Sequence, residues 1–468
     1  MTHCKTEDLE FKGAGRRRIT ARFDGGMITS DAGVLLLKEL EDRLGIIERL
    51  AECFDDYREP NWVEHSVEEL LRQRIFALAL GYEDLSDHQT LRSDTALAVG
   101  CDKSDPESND RARAEDKGNA LGSPSTLNRL ELGVVDGGAD DRYKKIVCDL
   151  AKVEALLVEL WLDSLEDDPP GCVVIDLDAT DVALHGDQED KFYHGYYGHY
   201  CYLPLYIFCG DWLLSSLLRF AGRDTAANCL RPLEMLVDAL QWRFPSTQII
   251  IRGDSGFARN HIFSWCEQWG VDFVIGIAKN SRLNDRLTPM MEKAKQQFEQ
   301  TDSPVRWFDD FDYETVDSWS QQRRVIAKAE HTAQGANPRY VVTSLPRTDV
   351  CAKAIYEVLY CQRGEAENRI KEVQLPLFAG RMSTQYRASN QLRFYFSSIA
   401  YLLICWLRRL ALRNTEWVRA QASTIRNRLL KIGAQIKVTT RRVWFRMASS
   451  YPYQARFRQA VRRIRAGP

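Results

Sequence analysis

Residues 171–184 read GCVVIDLDATDVAL, an apolar run that ends among three carboxylates, Asp176, Asp178 and Asp181. Val, Ile and Leu crowded into so short a window predict a buried strand. Like charges gathered at its carboxyl end ask for a reason. A polar turn closing the strand is one. Two chemical reasons compete with it: the nucleophilic aspartate of a phosphatase, or one arm of an oxygen cage that holds a metal ion against nucleic acid.

Downstream, residues 200–210 (YCYLPLYIFCG) and 211–220 (DWLLSSLLRF) read as two further strands. A helix at 226–244, a strand at 247–254 (TQIIIRGD), a helix at 258–270 and a strand at 271–278 (VDFVIGIA) follow. Three strands in succession, then helix, strand, helix, strand, is the element order of a ribonuclease H-like α/β fold. In such a sheet the first and fourth strands are neighbours, so Asp178 and Asp254 converge. Two carboxylates held together are costly unless they share a proton or a cation, and magnesium favours oxygen ligands while keeping water and substrate phosphate in its shell. By itself, Asp254 before Ser-Gly also reads as a capping or turn residue.

A third element lies at 352–374, AKAIYEVLYCQRGEAENRIKEVQ. Offsets of three and then four place Tyr360, Arg363 and Glu367 on one helix face, and Gln374 seven residues further joins the stripe. Arg363 is placed to hold a phosphate and Glu367 to complete the cage. The competing reading is an exposed charged helix with internal ion pairs.

Around this core we expect five segments. Residues 1–165 form a mainly helical N-terminal DNA-binding domain, carrying the helical periods of 31–44 and 66–82 and a polar loop at 103–124. The ribonuclease H-like core occupies 166–280 and 347–412, interrupted at 281–346 by a β-rich insertion with short alternating runs. A basic segment, 413–468, closes the chain. Within the N-terminal domain, SPSTLNRLELG (123–133) reads as a capped short helix able to present Ser125, Thr126, Asn128 and Arg129 to DNA.

The formal charge of -3 is unevenly spread. From Tyr401 onward there are 16 Lys and Arg against a single acid, Glu416, giving +15 there and -18 elsewhere. Arginines interleaved with aromatics, as at Arg441 and Arg442 in RRVWFR, predict an anionic partner, most often nucleic acid. Twelve cysteines with no paired spacing read as reduced thiols of a cytosolic protein. The longest uncharged run, 394–407, is too short to span a bilayer, so no membrane partner is expected.

The stretches LDATD, RGDSGFA and YCQRGEAE resemble the acidic triad of DDE transposases, in the group whose glutamate helix carries Y-x2-R-x3-E followed by x6-K. LDATDVALHGDQEDKFYHGYYGHYCYLPLYIF, LGYEDLSDHQTLRSD and SPSTLNRLE resemble the IS1380-type insertion-sequence transposases, over residues from about 10 to 410. The resemblance implies Asp178, Asp254 and Glu367 as catalytic and metal-binding residues, with Tyr360 and Arg363 supporting them. The family lysine falls on Gln374, leaving Lys371 as the nearest substitute. Asp176 shares a strand face with Asp178 and stays an alternative first ligand. The resemblance further implies Mg2+, with Mn2+ as a substitute, and phosphoryl transfer that cleaves terminal inverted repeats and joins them to target DNA, by a homodimer on DNA in the bacterial cytoplasm at the nucleoid. His185, in the aromatic stretch after the first strand, is expected at the DNA. Trp307 and Trp319 are candidates for stacking on a flipped base. Three rivals remain: a haloacid-dehalogenase-type phosphatase with Asp176 as nucleophile, a catalytically inactive DNA-binding protein derived from a transposase, and a nuclease that does not join strands.

Overall fold

The run at 171–184 forms the strand Cys172–Ala179 inside a large mixed sheet. The computed structural model describes residues 8–111 and 113–466, which divide into two compact units, Leu150–Ser398 and the pair Met1–Asp149 with Ile399–Pro468.

In the first of these, the sheet runs Trp212–Leu217, Leu205–Cys209, Cys172–Ala179, Gln248–Gly253, Asp272–Ile277, Arg339–Thr343, Arg323–Thr332, Val305–Tyr313. The three strands from Cys172–Ala179 to Asp272–Ile277 are parallel and all other pairs along this path are antiparallel. Continuous apolar runs suit strands covered on both faces. On one face Val173, Ile175, Leu177 and Ile251 pack with the helices Leu230–Arg243 and Asn260–Trp269. Side chains such as Ile175 and Leu177 are fully buried, each contributing on the order of 1.5–3 kcal/mol. On the other face Ile250, Val274, Ile326 and Val341 pack with Ile355 and Tyr356. Period-two alternation therefore brings Asp176, Asp178, Arg252 and Asp254 up on the face that meets the segment leading into the glutamate helix.

The other unit is mainly helical. Its helix Val67–Leu80 starts with a capping box of Ser66 and Glu69 and buries an ion pair, Arg74 Nε to Glu131 Oε1 at 2.8 Å. Near its start a two-stranded ribbon, Leu9–Ala14 with Arg17–Ala21, has every residue exposed.

The structure adds detail to three of the expected segments. The stretch 281–346 opens with a 21-residue helix, Ser281–Thr301, and its three long strands extend the central sheet. That helix buries Leu283, Leu287 and Ala294 and half-buries Met290, Met291 and Phe298, a three-and-four spacing that the internal Pro289 and the surrounding charges obscure. The helix Leu150–Asp163, expected within 1–165, adds Val158, Trp161 and Leu162 to the core of the sheet unit. Periodicity announces a helix without saying which core receives it. The basic segment 413–468 folds onto the N-terminal residues: Ala434–Thr439 pairs with Met27–Thr29, Arg426 donates to the carbonyls of Leu78 and Ala79, and Arg465 pairs with Glu39. Part of its positive charge is thus already matched within the protein. Among the described residues no helix is long and apolar enough to cross a membrane, and eleven cysteines are free thiols.

Candidate active site

The strands Cys172–Ala179 and Gln248–Gly253 run parallel in a register that pairs Leu177 with Gly253. One step further along both brings Asp178 and Asp254 side by side at the carboxyl ends, the edge where open α/β sheets hold ligands. Backbone amides orient both carboxylates. Asp178 Oδ1 accepts from the Ala179 N–H at 2.8 Å, and Asp254 Oδ1 from the Gly256 N–H at 2.8 Å, capping the turn Ser255–Phe257. Capping and site placement coincide at Asp254.

Arg363 supplies the link to the third acid. Its Nη1 lies 3.3 Å from Asp178 Oδ2 and its Nη2 2.8 Å from Glu367 Oε1, in the first turn of the helix Gly364–Gln374. Burial pushes the Asp178 carboxyl up to about 7, with Asp254 and Glu367 adding to the rise and Arg363 opposing it. The approach to this helix is irregular, a π turn at Ile355–Tyr360 followed by a 3₁₀ turn at Cys361–Arg363. The three-then-four stripe predicted on a regular helix is carried by one that first widens and then tightens, a feature frequent at functional sites. Tyr360 lies over Gly276, where any Cβ would collide with its hydroxyl. Burial pushes its phenol up, Arg363 pulls it down and Asp254 raises it, so Tyr360 belongs to the same cluster. Among the described residues no three His, Cys, Asp or Glu side chains are drawn together as a metal cage. The expected ligands Asp178 and Glu367 are bridged by Arg363 instead.

Asp176, the alternative first ligand, is engaged by an arginine. It lies opposite Arg252 in the strand register and is buried with it, both carboxylate oxygens taken by the guanidinium, Nη2 to Oδ2 at 2.7 Å. Arg252 also donates to the Leu359 carbonyl, inside the π turn. Asp176 thereby supports the segment that carries Tyr360 and Arg363. The same pairing removes the free nucleophile that the phosphatase reading needs. Asp181 pairs with His199 Nε2 at 2.7 Å, and its carbonyl accepts from Gln374 at 3.4 Å. Lys371 is exposed one turn beyond Glu367.

The residues expected at DNA are spread over separate elements. The helix Pro124–Leu132 is capped by Ser123, with Asn128 and Arg129 exposed and Thr126 half-buried, and the Arg129 guanidinium stands 5.5 Å above the Tyr143 ring. Arg441 and Arg442 are exposed at the turn and start of the strand Arg442–Met447. His185 is exposed after the first strand. Trp319 packs edge-on against Phe263 and Tyr313, whereas Trp307 is partly exposed beneath Lys293 Nζ at 4.2 Å.

Arg252, Gly276 and His199 escaped the sequence reading. The signal for Arg252 was present: a lone charge in IIIRGD, two residues before Asp254 and hence on its face. Nothing in the sequence singles out Gly276.

Fold and site together define a mixed α/β protein whose acidic residues meet at the carboxyl ends of neighbouring strands and are joined to a glutamate helix through one arginine. Residues 11–468 match the family model described as Transposase DDE domain group 1, and the chain belongs to that family. It is a transposase. Among solved structures it is similar to a chain of the cryo-EM structure of a piggyBac transposase synaptic complex with hairpin DNA, at 11% identity over 86% of this chain and 80% of that one, with a TM-score of 0.41. No curated protein matches the chain.

Proposed function

We propose that this transposase is of the IS1380 type, binds the terminal inverted repeats of an insertion sequence, cleaves the DNA ends and joins them to target DNA through Asp178, Asp254 and Glu367. The observation that carries the reading is the convergence of Asp178 and Asp254 on adjacent parallel strands, with Arg363 linking Asp178 to Glu367. A ribonuclease H-like core is supported by the strand order, in which the first strand lies between the second and the fourth and runs parallel to the fourth and fifth.

A divalent ion, Mg2+ with Mn2+ as a substitute, suits this donor set: three carboxylates offer hard oxygen ligands, and a cation would favour the ionised form of Asp178 that burial, and to a lesser degree its acidic neighbours, oppose. Bound by Asp178, Asp254 and Glu367, it supplies Lewis acidity for attack on and departure from a phosphate. Arg363 offers a planar fork to a phosphate oxygen. Tyr360, seated over Gly276, anchors the segment that leads to that arginine. Gln374 stands on the helix where the family has its lysine, with Lys371 as the nearest substitute. The helical unit, with Thr126, Asn128, Arg129, Arg441 and Arg442, positions the duplex, assisted by His185. The enzyme acts as a homodimer on DNA, since two ends are cut as a pair, and works in the bacterial cytoplasm at the nucleoid.

The test is purified protein with end-labelled DNA carrying the repeats that flank its gene, in the presence of Mg2+. Nicking and then joining are expected from the wild type and absent from Asp178→Ala, Asp254→Ala and Glu367→Ala. Cleavage that survives Asp254→Ala or Glu367→Ala refutes the triad. Nicking without joining of pre-cut ends identifies a nuclease.

A further inference from the structure

The ribbon near the start of the chain has no place in the site described above. Among the described residues Leu9–Ala14 and Arg17–Ala21 pair only with each other, and no residue of either is buried. A hairpin of two strands is marginal in water without a third strand or a covering element. The register sets Leu9 against Ala21 and Phe11 against Ile19, so these four side chains share one face. Leu9 is 42%, Phe11 57% and Ile19 41% exposed. An uncovered apolar face of this kind marks an interaction surface. At the turn, Gly15 takes a left-handed conformation, φ 62°, and the side chains of Arg16, Arg17 and Arg18 make no ion pair among the described residues.

We infer that this ribbon is an arm that enters the minor groove of duplex DNA, with its arginine tip on the backbone and groove and Phe11 and Ile19 wedged against the base steps. Charge complementarity selects the occupant. Three consecutive unpaired arginines seek a polyanion, whereas a second copy of the chain would bring an identical cationic tip towards the first. Apolar wedges flanked by arginine are the means by which minor-groove proteins unstack and bend a duplex. The inference rests on the DNA-acting role proposed above and names a contact that the role does not require.

The test uses the full chain and a duplex of random sequence labelled with fluorescein at one end and rhodamine at the other. For Arg16→Ser/Arg17→Ser/Arg18→Ser we expect weaker binding and a plot of log affinity against log salt that is shallower by about 2.7, three contacts at roughly 0.9 each. For Phe11→Ser/Ile19→Ser the salt slope should persist, while the end-to-end energy transfer that reports bending returns to that of free duplex. Both variants should melt with the wild type, because neither core includes the ribbon. Unchanged affinity and slope in the arginine variant overturn the inference while leaving the proposed function intact. So does a wild-type dimer that Phe11→Ser/Ile19→Ser converts to monomer with DNA binding unaltered, which makes the face a self-interface. A wild type that does not bind the duplex overturns the functional reading and the arm with it.

Discussion

Removing Arg252 tests whether Asp176 is a structural partner or a chemical one. Arg252→Met leaves a buried carboxylate whose two oxygens have lost their donors, and also frees the Leu359 carbonyl. Breaking a buried pair from one side costs about 3–5 kcal/mol. Asp176→Asn strands the guanidinium in the same way, while the double variant removes both charges together. The double variant should therefore recover about 2 kcal/mol or more of the summed losses. Hydrogen exchange on peptides covering 172–179 and 355–367 is the assay, because it reads the two segments that this pair joins. Both peptides should lose protection in the single variants and regain part of it in the double. Cleavage by Asp176→Asn should fall in step with that lost protection. Additive single effects refute the reasoning, and so does an Asp176→Asn protein with full protection and no cleavage, which makes Asp176 a participant in the chemistry.

Other outcomes follow from the same geometry. Asp178 titrates near 7 when folded against an ordinary 3.8, so the folded state holds the extra proton. In metal-free protein its contribution is fully present below about pH 4 and is lost as pH rises through 7, amounting to about 4 kcal/mol for roughly three units. Melting temperature measured against pH should decline over that window in the wild type and flatten in Asp178→Asn, and added Mg2+ should raise the wild-type value at pH 8 more than that of the variant. Gly276→Ala should displace Tyr360 at about 1–3 kcal/mol, reducing cleavage in a gel assay with the helical unit's exchange unchanged. Arg363→Lys keeps the charge and loses the fork that reaches both Asp178 and Glu367, so cleavage should fall with little change in melting temperature. Ser66→Ala removes the capping box of Val67–Leu80 and should lower the helical unit's stability by about 1 kcal/mol in exchange experiments.

The central strands were legible because they are buried on both faces, and such strands are written as unbroken Val, Ile and Leu. Cys172–Ala179, Gln248–Gly253 and Asp272–Ile277 lie where the apolar runs place them, and the carboxylates sit at their ends because a strand must meet water somewhere. The helix Ser281–Thr301 was hidden for another reason: its apolar stripe, Leu283, Leu287, Met290, Met291, Ala294 and Phe298, is broken up by charged and amide residues and by Pro289, and only three of its side chains are fully buried. The assignment of Leu150–Asp163 and of the C-terminal strands to their units depends on partners far away in the chain, and local periodicity carries no such information. At the site, Asp178, Asp254 and Arg363 were visible as a pattern, while the Asp176–Arg252 pair needed the strand register. The π turn ahead of Arg363 has no counterpart in sequence spacing, which presumes a uniform helix.

The chain leaves the parallel strands at Ile277 and returns at Tyr340, and these two residues are cross-strand neighbours. Departure and return are therefore adjacent points on a rigid frame, and the helix Ser281–Thr301, which packs on the face away from Ile355 and Tyr356, can be lengthened, trimmed or replaced during evolution while Ile326 and its strand keep supporting the segment that leads to the glutamate helix. Such a junction lets an ancestral cutting centre acquire new ways of handling its substrate, and it marks the position at which a foreign domain is best grafted by an engineer.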